Sequence, residues 1–155
     1  MALLEVQDAR VTIGTVTPLD AVSFVLDRGE ILGLVGESGS GKSLTAMAIM
    51  GLLPLIGGRV STGSIRFDGI ELTVLAEKPY RKLRGKRIAF ISQNPMTALD
   101  PLQNIGAQVD VIGTLHFGKT ASEARQRTIE VLTLLRIPDA AAICEAVSRP
   151  SMRFV

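Results

Sequence analysis

Residues 36–43 read "GESGSGKS", a fit to G-x-x-x-x-G-K-[ST] at Gly36, Gly41, Lys42 and Ser43. Such a run demands a strand before it, a tight loop, and a helix after it. The loop must turn its amide N–H groups inward around an anion, and glycines at 36, 39 and 41 permit that path and keep Cβ atoms out of it. The helix opening near Lys42 aims its positive end at the same centre. The amides of Gly36, Glu37, Ser38, Gly39, Ser40, Gly41, Lys42 and Ser43 are therefore the expected cradle for a polyphosphate. Lys42 is expected to reach the β- and γ-phosphates, and the Ser43 hydroxyl to hold Mg²⁺.

The flanking sequence supplies that context. "ILGLV" (31–35) is an unbroken apolar run, which predicts a strand buried on both faces. "SLTAMAIMGLL" (43–53) predicts the helix, closed by Pro54 and then Gly57-Gly58. Upstream, "LLEVQDARVTI" carries short apolar stretches, and "AVSFVL" (21–26) sets Val22, Phe24 and Leu26 on one strand face before the turn "DRG". Downstream, "GSIRFDGIEL" (63–72) alternates around Asp68-Gly69, a hairpin signal, and "RIAFIS" (87–92) predicts a second buried strand. Helices follow. "NIGAQVDVIGTL" (104–115) is weakened by two glycines. "TASEARQRTIEVLTLLRI" (120–137) has Thr120 and Glu123 at capping-box spacing, a shared face at Ala124, Thr128, Val131, Leu132 and Leu135, and Pro138 as its stop.

These stretches resemble the ATP-binding subunits of ABC transporters, particularly the branch that imports dipeptides, oligopeptides and nickel. "AVSFVLDRGEILGLVGESGSGKSLTAMAIMGLLP" is similar to that branch's opening strands and Walker A segment, and "LRGKRIAFISQNPMTALDPL" to its Q-loop region. The resemblance runs from residue 3 to about 138. It implies an α/β fold of the P-loop NTPase class, an ABC-type nucleotide-binding domain with an N-terminal antiparallel β part and the start of a helical subdomain. The implied division is 1–101 for the partial core, 102–147 for the helical subdomain and 148–155 for an aberrant tail. It implies ATP and Mg²⁺ as ligands, and Gln93 as the Q-loop glutamine that touches Mg²⁺ or the attacking water and couples the site to membrane subunits. It implies transmembrane permease subunits and a second ATP-binding subunit as partners. The location implied is the cytoplasm, on the inner face of the membrane through the permease. Two positions depart from the family pattern. Ile13 stands where relatives stack an aromatic ring on adenine, leaving apolar contact only. Leu44 stands where many have Thr, removing one α-phosphate contact.

Other parts of the family pattern are not found in these 155 residues. Hydrolysis needs an acidic residue ending a buried strand for Mg²⁺, and a group to orient water. "SFVLD" precedes the phosphate loop, "MTALD" lies within the Q-loop stretch, and "AQVD" lacks the apolar run. The signature "LSGGQ" and a late switch histidine are missing; His116, the sole histidine, reads as a surface or packing residue. The segment "AAICEAVSRPSMRFV" (141–155) resembles nothing in the family. The expectation is a truncated chain that binds Mg-nucleotide without turning it over. Lacking partner strands, 31–35 and 87–92 would expose apolar faces and open edges, making the chain prone to associate.

The totals narrow the remaining readings. A net charge of +2 does not call for nucleic acid, and "RKLRGKR" (81–87), five basic residues in seven, reads as a solvated edge because only Tyr80 lies beside it. The single cysteine, Cys144, predicts a buried inert thiol, and Met47 and Met50 predict core packing. The longest apolar run, 46–58, is interrupted by Pro54 and falls short of a span, so any membrane contact is expected through partners. Two alternatives stay open: a small P-loop phosphoryl-transfer enzyme, for which Arg125 and Arg127 are the lid candidates, and a non-catalytic nucleotide-binding module that docks on a permease.

Overall fold

The computed structural model describes residues 2–92 and 98–147. They fall into two compact units, Met1–Arg84 and Gly85–Val155. Among the described residues no helix is long and apolar enough to cross a membrane.

The first unit is built on an antiparallel sheet in the order β2-β1-β3-β4, with β1 at Ala2–Ile13, β2 at Val16–Asp27, β3 at Gly58–Phe67 and β4 at Ile70–Glu71. β1 is central, so Val6 faces Phe24 on one side and Ile65 on the other. Its apolar positions change phase midway: Leu4 and Val6 are buried, and then Ala9 and Val11. A register shift between Val6 and Ala9 absorbs the extra residue. Asp8 takes a left-handed φ of 44° there, and its N–H donates to the Ser23 hydroxyl at 2.8 Å. The bulge re-phases the alternation, which is why the sequence shows short stretches rather than one clean period. Val22, Phe24 and Leu26 share the half-buried face of β2 as expected. Asp68 and Gly69 both have positive φ, 50° and 78°, and form the hairpin turn between β3 and β4.

Helix α1 occupies Lys42–Ile49, a 3₁₀ turn Leu53–Ile56, and α2 Glu77–Leu83. The expected helix over 43–53 thus stops early: Gly51 turns left-handed at φ 62°, and Pro54 sits at the opening of the 3₁₀ turn instead of ending α1. Ala48, Met50, Leu53, Leu72, Tyr80 and Leu83 complete the core of this unit.

The expected strand at 31–35 is not formed. The segment has no ladder partner among the described strands, and Ile31 and Val35 are 96% and 94% exposed. An apolar run becomes a buried strand only when neighbours accept its backbone bonds, and none does here. The expected strand at 87–92 fails in the same way; its described backbone is irregular, with Phe90 and Ile91 exposed.

Among its described residues the second unit packs three helices, α3 at Ile105–Phe117, α4 at Ala121–Leu134 and α5 at Ala140–Glu145. The two glycines of α3 serve close packing: a Cβ at Gly113 would lie 2.9 Å from the Ala124 Cβ, and one at Gly106 2.7 Å from the Cys144 Cβ. The Thr120–Glu123 capping box is present, with the Thr120 N–H donating to Glu123 at 2.8 Å. Ala124 and Thr128 are buried, but the expected face does not continue, since Leu135 is exposed and the chain turns at Arg136, φ 59°. α5 has no counterpart in the sequence reading. It buries Cys144, whose thiol is pushed up by burial, in keeping with an inert role. Asp110 accepts from Arg125 at 2.8 Å and from the Thr128 hydroxyl at 2.6 Å, and Arg125 also pairs with Glu145. His116 is half-buried against Gly85, the packing role expected of it.

Candidate functional site

The phosphate-type loop lies in the first unit, between the exposed segment at 31–35 and α1. The Ser40 N–H donates to the Glu37 carbonyl at 3.2 Å, which tightens the loop. Lys42 folds back over it: its Nζ donates to the Gly36 carbonyl at 2.7 Å, the Glu37 carbonyl at 2.6 Å and the Ser40 hydroxyl at 3.1 Å. The ammonium is thereby brought onto the loop that 36–40 forms. A Cβ at Gly36 would sit 2.6 Å from the Ser40 Oγ, so Ser40 would have to turn aside to admit one.

Gly41 is the N-cap of α1, left-handed at φ 88°, ψ 0°, and no side chain caps this end. The first N–H groups of a helix have no partner within it, so they are available to an anion. Gly41 is buried under Leu19, and a Cβ there would lie 2.7 Å from the Leu19 Cδ1. β2 thus supports the loop from beneath, a contact the sequence reading missed because nothing in the spacing of 19 and 41 reports it. Thr45 fixes the first turn through its N–H and hydroxyl, which donate to the Gly41 carbonyl at 2.8 and 3.0 Å. Ser43 is exposed in that turn and Leu44 half-buried. Glu37, Ser38 and Gly39 are exposed along the loop.

The remaining expected site residues are spread more widely. Ile13 ends β1, paired with Val16 and Gly58, and is half-buried. Gln93 lies outside the described residues, as does the segment 148–155. Among the described residues no cluster of His, Cys, Asp or Glu could hold a metal by itself. The donor set on hand, the exposed Ser43 hydroxyl next in sequence to Lys42, suits Mg²⁺ carried by phosphate oxygens rather than a protein cage.

The lid expected of the phosphoryl-transfer alternative finds no free arginines at these positions. Arg125 is held by Asp110 and Glu145, and Arg127 pairs with Glu130 at 3.1 Å. The basic stretch at 81–87 is also not uniformly solvated. Arg84 is half-buried, 4.6 Å from the Tyr80 ring centroid, and paired with Glu77 at 2.8 Å. Its i,i+4 spacing from Tyr80 was visible in the sequence, but what the pair touches was not.

The sequence profile described as "ABC transporter" matches residues 19–150. The oligopeptide transport ATP-binding protein OppD of Bacillus subtilis (strain 168) is 42% identical over 140 residues, 88% of this chain and 39% of that protein. The dipeptide transport ATP-binding protein DppD of Haemophilus influenzae is 43% identical over 143 residues, 90% of this chain and 43% of its own length. The chain therefore spans about two fifths of the length of these curated relatives. Among solved structures, the dimeric ATP-binding cassette MJ0796 bound to ADP and Pi superposes with a TM-score of 0.76 at 21% identity, covering 93% of this chain and 61% of that one. An ATP-binding subunit of an ABC transporter gives 0.66 at 26% identity, covering 94% and 54%. The fold is that of the ABC-type P-loop NTPases.

Proposed function

The chain belongs to the ABC transporter family, and from that premise we propose that it is the nucleotide-holding part of an ATP-binding subunit that energises import of peptides or related solutes. The observation that carries the reading is the closure of Lys42 on the Gly36 and Glu37 carbonyls at the uncapped start of α1. A loop in that form exchanges two carbonyl acceptors for phosphate oxygens when nucleotide arrives. Lys42 then pairs with the β- and γ-phosphates, the amides of 36–43 surround them, and the Ser43 hydroxyl joins the Mg²⁺ shell. Leu44 and Ile13 offer apolar contact at the α-phosphate side and the base. Gln93 is read as the second Mg²⁺ or water contact and the coupling residue. The names of the relatives support peptides as the class of solute.

In this reading residues 1–101 belong to the nucleotide-binding core and 102–147 open the helical subdomain. The partners are transmembrane permease subunits and a second ATP-binding subunit, which place the protein on the cytoplasmic face of the membrane; nucleic acid is not a partner. The 155-residue polypeptide holds nucleotide without cleaving it, because no residue pattern in it combines a strand-end Asp with a water-orienting carboxylate. The test is a titration with a fluorescent ATP analogue, with and without Mg²⁺, beside a phosphate-release assay. Saturable, Mg²⁺-strengthened binding without turnover is expected. Absence of binding at millimolar nucleotide overturns the reading, and steady release of phosphate by the pure polypeptide overturns the division between holding and cleaving.

A further inference from the structure

The end of α1 opposite the phosphate loop is the one that side chains of a second helix hold. The carbonyls of its last residue Ile49, its C-cap Met50 and the following Gly51 all accept hydrogen bonds from α2 or its C-cap. The Tyr80 hydroxyl donates to Ile49 at 2.7 Å, Arg84 Nε to Met50 at 2.7 Å, and Arg84 Nη2 to Gly51 at 2.9 Å. Glu77 holds the remaining arm of the guanidinium at 2.8 Å, and Tyr80 supports it face-on at 4.6 Å. Tyr80 is buried, and Gly51 has no space for a side chain, since a Cβ would lie 2.6 Å from the Tyr80 Cζ. A cation at a helix C-terminus is favourable against the helix dipole, and the planar fork of Arg reaches two carbonyls that a Lys cannot bridge in the same way.

The other end of α1 is bonded within itself and its own loop, through Thr45 and Lys42, and not by side chains of a second helix. No side chain caps it, the loop at 36–40 is exposed, and Leu19 provides the packing beneath Gly41. α1 has only eight residues, about 12 Å of helix. A helix so short and so unequally anchored takes its direction from the end that α2 holds. We propose that Tyr80 and Arg84 are positioning residues for the phosphate loop: by fixing the closing carbonyls of α1 they set where the amides at its opening point. This rests on the nucleotide-binding reading above.

The test uses the 155-residue chain, Mg-ATP as probe, and three variants, Tyr80→Phe, Arg84→Lys and Arg84→Ala. Affinity, melting temperature and amide exchange over 45–52 are measured on each. Loss of one hydrogen bond at Tyr80 is expected to weaken Mg-ATP binding roughly threefold, and loss of both guanidinium bonds roughly tenfold, with Arg84→Lys between them. Exchange at 50–52 quickens in the same order. A purely structural cap lowers the melting temperature and leaves the affinity of the folded chain unchanged. If Tyr80→Phe and Arg84→Lys fold and bind like the parent, the positioning role is wrong, whatever becomes of Arg84→Ala. If the parent itself does not bind Mg-ATP, the nucleotide reading falls first and this one with it.

Discussion

The Nζ of Lys42 lies 2.7 Å from the carbonyl oxygen of Gly36, six residues back along the chain. Together with the bond to Glu37, it makes Lys42 the clasp of the loop, and in the proposed reading the cation that meets phosphate. Lys42→Ala removes the ammonium that closes on the loop. We expect nucleotide affinity to fall at least tenfold, about 1.4 kcal/mol, with the melting temperature little changed because the loop is exposed. Unchanged affinity by equilibrium titration would remove the loop from the site.

Gly41 joins a backbone demand to a packing demand. Its φ of 88° is disfavoured for any residue with a Cβ, and the added methyl would meet Leu19 at 2.7 Å. Gly41→Ala should cost roughly 1–3 kcal/mol in urea denaturation. In a Leu19→Ala background, itself destabilised by the lost core side chain, the Gly41→Ala step should cost less by its packing share and keep its backbone share.

Much of this was readable in the sequence, and the division between what was and was not has a physical cause. The glycine loop, the Asp68-Gly69 turn and the Thr120–Glu123 box are local devices, each complete within a few residues. The bulge at Asp8 depends on Ser23, the bed under Gly41 on Leu19, and the end of α1 on Tyr80 and Arg84, all distant in sequence. α5 was invisible because its stability comes from Cys144 filling the space above Gly106 and from Glu145 meeting Arg125. The unbroken apolar run misled at 31–35, because it measures apolarity and not the presence of a partner strand.

The capping box gives a pH-dependent expectation. The backbone N–H and then the hydroxyl of Thr120 hold the Glu123 carboxyl below its ordinary value of 4.5. A carboxyl depressed by folding contributes above that value and loses its contribution as pH falls through the lower, folded one. Thr120→Ala should lower stability by about 1 kcal/mol at neutral pH and flatten the acid limb of the stability profile. Helicity over 121–134 by amide exchange is the companion measurement.

Tyr80 predicts the opposite limb. Burial first, with a smaller contribution from Glu77, pushes its phenol up from 10.0 to about 12, against the pull of Arg84. A group raised in the folded state keeps its full contribution below pH 10 and loses it as pH climbs toward 12. The hydroxyl must stay protonated to donate to Ile49, so ionisation breaks that bond as well. Thermal melts between pH 9 and about 12 should show a decline that Tyr80→Phe reduces, with the variant the less stable of the two at neutral pH.

The apolar run at 31–35 sets how the chain behaves in solution. Ile31 and Val35 are almost fully exposed, and Leu32 and Leu34 are 39% and 44% exposed, in a segment without ladder bonds. A stretch without ladder partners and with β-branched side chains can pair with another strand, and contiguous apolar exposure rewards any contact that covers it. The polypeptide should therefore associate with rising concentration, seen as a growing sedimentation coefficient or scattering intensity. Replacing Ile31 and Val35 together by Lys removes most of that apolar area and adds like charges that repel edge-to-edge pairing. The double variant should stay monomeric at concentrations where the parent associates, and it should keep the helical signal of the second unit, which contains neither residue. A parent that sediments as a single monomeric species up to about millimolar concentration, with a sharp reversible melt, would mean that the exposed run is tolerated and drives no association.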